Sequence, residues 1–402
     1  MNILIVSSYL PYPLHSGGQV RLYNLMKHLA KNHTLTLVCE KRAHQTPSDI
    51  QAVKKLCKEV YTVDRKKQWT IGHIFATGFS SYPFLMIGHT HHEMKKIISE
   101  LLDLNTYDLI HAETFYIRQN LPETKLPIVL AEHNVEYQVY DRYLKTLPPL
   151  FFPLVLLLKI DIWKMKKWEQ HYWEDATKLI AVSEADKELM KRKDTVVVPN
   201  GVDIDEFTLK NLEQKIKGKE KRTLFIGDFK WIANQDAAKQ IITSVWPNVK
   251  LTLEDNGKVN PNLKLWIVGR KIPQYIRDLG RESDIIFDET VDDTAEAFRK
   301  ADALIAPIRV GGGTKFKILE AMASGVPVVT TEFGAEGLNI KHSEHMLIGD
   351  TNYELANLLI RLFSDEKLYI EMAKKARKHI EEYFSWGSIA KTLEGVYKSV
   401  TS

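Results

Sequence analysis

The chain has 402 residues, a length that favours two or three domains, and its 44% hydrophobic content is that of an ordinary soluble globular protein. Its 55 basic and 51 acidic residues leave a net charge of +4, too balanced to argue for nucleic acid as a partner. Two cysteines, Cys39 and Cys57, lack metal-ligand spacing and fit a reduced compartment, which for this chain reads as the cytoplasm.

Met1-Asn2-Ile3-Leu4-Ile5-Val6 has neither a positive leader nor a cleavage site and reads as a first β-strand. A loop holding Gly17-Gly18 follows, then a helix from about Gln19. Apolar runs at 34–38, 60–62, 109–111, 128–131 and 178–182 alternate with helical patterns, which predicts a parallel sheet flanked by helices. In open parallel sheets ligands lie beyond the carboxyl ends of the strands. His111 and Glu113 end one strand there, and Glu132-His133-Asn134 end the next. Loops also begin at strand ends, so a structural role stays open for each of them.

The longest apolar run, 147–158, holds three prolines and falls short of the ~20 residues a spanning helix needs. Phe151, Phe152, Leu154 and Leu156 to Leu158 precede Lys159, Trp163, Lys164, Lys166, Lys167 and Trp168. That mixture suits a membrane surface, on the inner face for a peripheral protein, or a core-packed helical hairpin with a solvated basic face. Segment 199–222 interrupts the rhythm, and its charged end, 215–222, reads as linker or exposed loop.

The second half repeats the opening of the first. Leu224-Phe225-Ile226-Gly227 runs through a loop into a helix from about Asn234, and further strands are expected at 265–268, 285–287, 303–306 and 328–330. Gly269 and Arg270 end the second of these five strands. Two Rossmann-type α/β domains in tandem result, 1–200 and 201–385, with a cleft expected between their strand ends. After the strand 303–306 come Arg309, then Gly311, Gly312, Gly313, Thr314, Lys315 and Lys317, and a helical pattern to Ser324. Bare glycine N–H groups and a helix start make an anion cradle. Lys317 and Glu320 share one polar stripe beside it. A surface salt bridge over a chance glycine loop is the plainer alternative.

The chain resembles glycosyltransferase group 1, the retaining family 4 enzymes of GT-B fold. Ser7 to Arg21, Glu132-His133-Asn134, Ala181 to Glu184, Asn200-Gly201-Val202-Asp203 and Leu319 to Val329 carry the likeness. The resemblance implies transfer of a sugar from a nucleotide-sugar donor, bound in the C-terminal domain, to a glycan or lipid-linked acceptor hydroxyl, in cell-surface polysaccharide or glycolipid biosynthesis. It implies no metal and no cofactor beyond the nucleotide sugar. Glu320 would hold the donor ribose. Lys315, Lys317 and the backbone of Gly312, Gly313 and Thr314 would hold the diphosphate, with Arg309 as a further cation and Gly18, Gly227 and Gly269 on the donor side. His133 would sit near the reacting sugar, with His111 and Glu113 on the acceptor side. The final helix, 386–402, would cross back onto the N-terminal domain. Gly312 stands where the family usually has its first motif glutamate. A nucleotide-sugar epimerase or hydrolase of the same fold, or a non-catalytic nucleotide-sugar-binding partner, therefore remains as an alternative.

Overall fold

Strands buried on both faces read as continuous apolar runs, because helices cover each side of a parallel sheet. That is the state of β1 (Asn2–Ser7), in which every residue after Asn2 is buried. The structure, a computed structural model, describes residues 1–144, 152–213, 220–255, 262–291, 293–309 and 315–401. The chain divides into two compact units, Met1–Pro199 with Ile389–Ser402, and Asn200–Ser388.

The first unit holds β1, β2 (Thr34–Lys41), β3 (Glu59–Asp64), β4 (Leu109–Glu113), β5 (Ile128–Ala131), β6 (Lys178–Ala181) and β7 (Val196–Val197) in one parallel sheet of order β3-β2-β1-β4-β5-β6-β7. The order reverses between β1 and β4, where Ser7 is the register partner of Glu113. Such a reversal leaves a crevice at the strand ends, because the following loops run to opposite faces. The helices Glu136–Leu144 and Phe152–Asp175 pack together, and buried Glu169 accepts the N–H groups of Glu136 (2.8 Å) and Tyr137 (3.1 Å). A carboxylate there satisfies two donors that the first turn of a helix leaves unpaired. The helix Trp386–Thr401 begins in the second unit and ends in the first. There Glu394 accepts from Asn32 (3.1 Å), and the buried Tyr397 hydroxyl lies 2.9 Å from His111 Nδ1.

The second unit contains β8 (Lys221–Ile226), β9 (Leu263–Val268), β10 (Ile285–Asp288), β11 (Ala303–Ala306), β12 (Val328–Thr330) and β13 (Leu347–Ile348), in the order β10-β9-β8-β11-β12-β13. The reversal recurs, now between β8 and β11. Residues alternate between two cores: Phe225 and Ile267 pack with Trp246 and Leu359 on one face, Leu224 and Val268 with Phe298 and Met322 on the other. The helix Phe316–Ala323 stops at Gly325, whose φ of 66° is the left-handed value that favours glycine after a helix. Arg377 closes that end by donating to the carbonyls of Ala323 (2.6 Å) and Phe207 (2.5 Å).

All eleven expected strands are present. Lys221 and Arg222, read from sequence as the end of a linker, instead start β8, and residues 214–219 lie outside the described residues. The strands β7 and β13, two residues each, were not anticipated, since so short a run has no readable period. Replacing Tyr397 by Phe should lower unfolding free energy by about 1–3 kcal/mol, the usual cost of orphaning a buried polar partner. Chemical denaturation checks this; an unchanged midpoint would show that the hydroxyl contributes nothing to docking the last helix.

Candidate functional site

The reversal between β8 and β11 brings together the cations read from the sequence. Lys317 lies in the first turn of the helix Phe316–Ala323, and its ammonium donates to Asn234 Oδ1 at 2.7 Å and sits 4.6 Å from the centre of the Phe225 ring. A cation over an aromatic face gains about 0.5–2 kcal/mol, more as water is removed. Burial pulls the Lys317 pKa down to about 8, with the Glu320 charge opposing the fall. Burial likewise raises Glu320 to about 7; the charge of Glu206 adds to the rise and Lys317 opposes it. Among the described residues the Glu320 carboxylate makes no hydrogen bond or ion pair. The expected Lys317–Glu320 stripe is therefore an electrostatic pair without a direct bridge.

Gly227 and Gly269 make this arrangement sterically possible. A Cβ on Gly269 would lie 1.9 Å from the Gly227 carbonyl oxygen, and one on Gly227 would lie 2.7 Å from the Asn234 amide carbon. With both absent, Asn234 packs against the end of β8, donates to the Asp228 carbonyl (2.8 Å) and turns its oxygen to Lys317. Lys315 caps the helix start, its ammonium 4.5 Å from the centre of the Phe333 ring and 4.0 Å from Glu336. Arg309 is held by both oxygens of Asp236 at 2.8 and 3.0 Å. This exposed pair contributes about 0–1 kcal/mol, little enough for an anion to displace. Gly312, Gly313 and Thr314 lie outside the described residues.

In the first unit the corresponding reversal holds an anion. Glu113, fully buried at the end of β4, faces His111 Nε2 at 2.9 Å through one oxygen and His133 Nε2 through the other. Burial alone would raise its pKa, but the charge and hydrogen bonds of His133 and His111 hold it well below the usual carboxylate range. A carboxylate only accepts, so both imidazoles present N–H at Nε2. Burial first, then the Glu113 charge, pushes the Tyr397 hydroxyl well above its ordinary range, so it stays protonated beside His111 Nδ1. The Tyr397 hydroxyl thus takes Nδ1 of His111, and Nδ1 of His133 is left without a partner among the described residues. Gly18 sits beneath this ring: its Cβ would lie 3.2 Å from His133 Cε1 and 3.1 Å from the Tyr9 hydroxyl.

Sequence reasoning missed Asn234 as a partner of Lys317, and it missed Tyr9 and Tyr397. The only signal for Asn234 was a polar residue opening the helix after the Gly227 strand end. Glu132, read beside His133, proves structural: buried, it accepts from the Trp173 indole (3.1 Å) and the Phe115 N–H (3.3 Å).

A Glycosyltransferase Family 4 model matches residues 15–206, and a Glycosyl transferases group 1 model matches residues 220–365. An uncharacterized 44.6 kDa protein in the cps region of Klebsiella pneumoniae is 22% identical over 95% of this chain and 96% of its own length. A phosphatidyl-myo-inositol mannosyltransferase of Mycolicibacterium smegmatis is 24% identical over 78% of this chain and 75% of its own. Anabaena HepE, solved in complex with UDP and glucose, has the same fold at a TM-score of 0.62 and 15% identity, covering 99% of this chain and 100% of that one.

Gly269→Ala should destabilise the protein by about 1–3 kcal/mol, because the new methyl meets backbone and not a movable side chain. Thermal or denaturant unfolding reads this directly, and wild-type stability would contradict the close approach of the two strand ends.

Proposed function

This chain belongs to glycosyltransferase group 1, family 4, and on that premise we propose that it moves a hexosyl unit from a nucleotide sugar to a glycan or lipid-linked acceptor, with retention and without a metal. The observation that carries this reading is the Lys317–Glu320 pair at a helix start on the β8/β11 reversal, the carboxylate unpartnered among the described residues. Glu320 suits the neighbouring hydroxyls of a ribose, since one carboxylate accepts two hydrogen bonds. Lys317 suits the diphosphate, which gains negative charge as its bond to the sugar breaks. Stabilising such a developing anion is usually the largest catalytic term, and losing one donor costs about 2.7–4 kcal/mol. Lys315 and the unpaired N–H groups of the same helix start add to it.

In this reading the acceptor oxygen bonds to the anomeric carbon on the face the diphosphate leaves, and its proton passes to the departing phosphate oxygen. Configuration is kept and no protein base is required. His133, oriented through Nε2 by Glu113, has Nδ1 left to hydrogen-bond the sugar. The nucleotide donor is supported by HepE, solved with UDP and glucose. The glycan or lipid-linked acceptor is supported by the relatives named for a cps region and for phosphatidyl-myo-inositol.

Lys317→Ala and Glu320→Ala should each reduce transfer at least ~100-fold while leaving the circular-dichroism spectrum that of the folded protein. Near-normal turnover in folded Lys317→Ala would defeat the assignment. UDP-, GDP- and dTDP-sugars incubated without acceptor test the first alternative, since epimer seen by NMR would favour an epimerase; neither hydrolysis there nor transfer once a glycan or lipid-linked acceptor is added would favour a non-catalytic binder. The kcat/KM profile should be bell-shaped. Activity rises as Glu320 loses its proton near pH 7 and falls as Lys317 loses its charge near pH 8. Glu320→Gln should remove the acid limb; a limb that persists belongs to another group.

A further inference from the structure

The helix Ile71–Phe79 is anomalous for a folded protein: its sequence, Ile-Gly-His-Ile-Phe-Ala-Thr-Gly-Phe, is without charged residues, yet none of its residues is buried. Ile71, Ile74, Phe75 and Phe79 recur at helical spacing on one face, with Phe75 64% and Phe79 91% exposed, and Trp69 just ahead of the helix is 81% exposed. The helix is nevertheless firmly placed. Lys164 donates to the carbonyls of Thr77 and Ser80, both at 2.7 Å, and the Trp168 indole donates to the Ser81 carbonyl at 2.9 Å.

Those two anchors come from the helix Phe152–Asp175, whose exposed face continues the pattern. Leu156, Leu157, Ile160 and Trp163 follow one another at helical spacing, and Lys166 and Lys167 extend the same face. Lys164 and Trp168, which the sequence placed in an outward basic-aromatic patch, are therefore turned into the protein. Phe151 lies outside the described residues. The exposed apolar residues come mainly from a segment that the sequence reading passed over.

Charge identifies the partner. Segments 65–79 and 152–168 carry seven lysines and arginines against one carboxylate, Asp161; Lys164 is turned inward and Arg65 lies 3.9 Å from Glu40, which leaves Lys66, Lys67, Lys159, Lys166 and Lys167 exposed. Asp161 is itself engaged, accepting the Phe84 N–H at 2.8 Å. An apolar face flanked by lysines fits neither free water nor a neutral protein groove; it fits the boundary between acyl chains and anionic headgroups. No helix among the described residues is long and apolar enough to cross a membrane. We propose that the face built from Ile71–Phe79 and the exposed side of Phe152–Asp175 docks on an anionic lipid bilayer, the short helix lying in the interface with Phe75 and Phe79 among the acyl chains. This inference stands on exposure and charge and is independent of the sugar-transfer reading.

Co-sedimentation of the full chain with vesicles tests it, comparing pure phosphatidylcholine with phosphatidylcholine containing roughly 30% phosphatidylglycerol. Binding is expected to the anionic vesicles, to weaken as salt rises, and to fall at least ~10-fold in Phe75→Glu/Phe79→Glu. Both side chains are exposed, so that variant should keep the wild-type melting temperature. Leu104→Glu, altering an 81% exposed leucine elsewhere in the same unit, should bind like wild type. The proposal is overturned if anionic vesicles do not retain the protein at low salt, or if Leu104→Glu is impaired as much as the double variant. It is equally overturned if the double variant instead abolishes a concentration-dependent dimer seen by sedimentation velocity, which would make the face a contact with a second copy.

Discussion

A lysine ammonium partly withdrawn from water at the end of a parallel strand is the constraint on which the second unit is arranged. An ammonium in that position needs acceptors, and Lys317 has one amide oxygen and one aromatic face. To supply them, Asn234 must pack directly on the end of β8, which requires glycine at 227, and the neighbouring strand must close up behind it, which requires glycine at 269. The result is a cation held ready but not neutralised. Glu320 perturbs it without bridging it, and an incoming diphosphate would complete its coordination.

The first unit applies the same topology with the opposite sign. Its sheet reverses between β1 and β4, and the buried group at that point is the carboxylate of Glu113. Two imidazoles offset its burial, and the Tyr397 hydroxyl of the last helix holds the far nitrogen of one of them. A helix that starts in the second unit thus supplies a hydroxyl to the hydrogen-bond chain that ends at His133. The Glu113 charge is well satisfied, and its chemical consequence is the orientation of His133, whose Nδ1 remains outward.

What was legible in the sequence follows from which signals are local. Parallel strands covered on both faces are short apolar runs, and every run of three or more residues was readable; the two-residue strands β7 and β13 were not. His133, Lys317 and Glu320 were legible as polar residues at strand ends or in a glycine-to-helix transition. Asn234 and Tyr397 were not, because their partners lie 83 and 286 residues away and no local pattern points to those partners. The helix Ile71–Phe79 was overlooked for a different reason. Its apolar spacing resembles that of any core helix, and only its lack of buried residues sets it apart.

The most direct test of the account is a structure of this protein soaked with a nucleoside diphosphate. The account predicts that the Lys317 ammonium leaves Asn234 for a phosphate oxygen within hydrogen-bond distance, while both ribose hydroxyls point to the Glu320 carboxylate. A nucleotide bound elsewhere, with the Lys317–Asn234 contact intact, would contradict it.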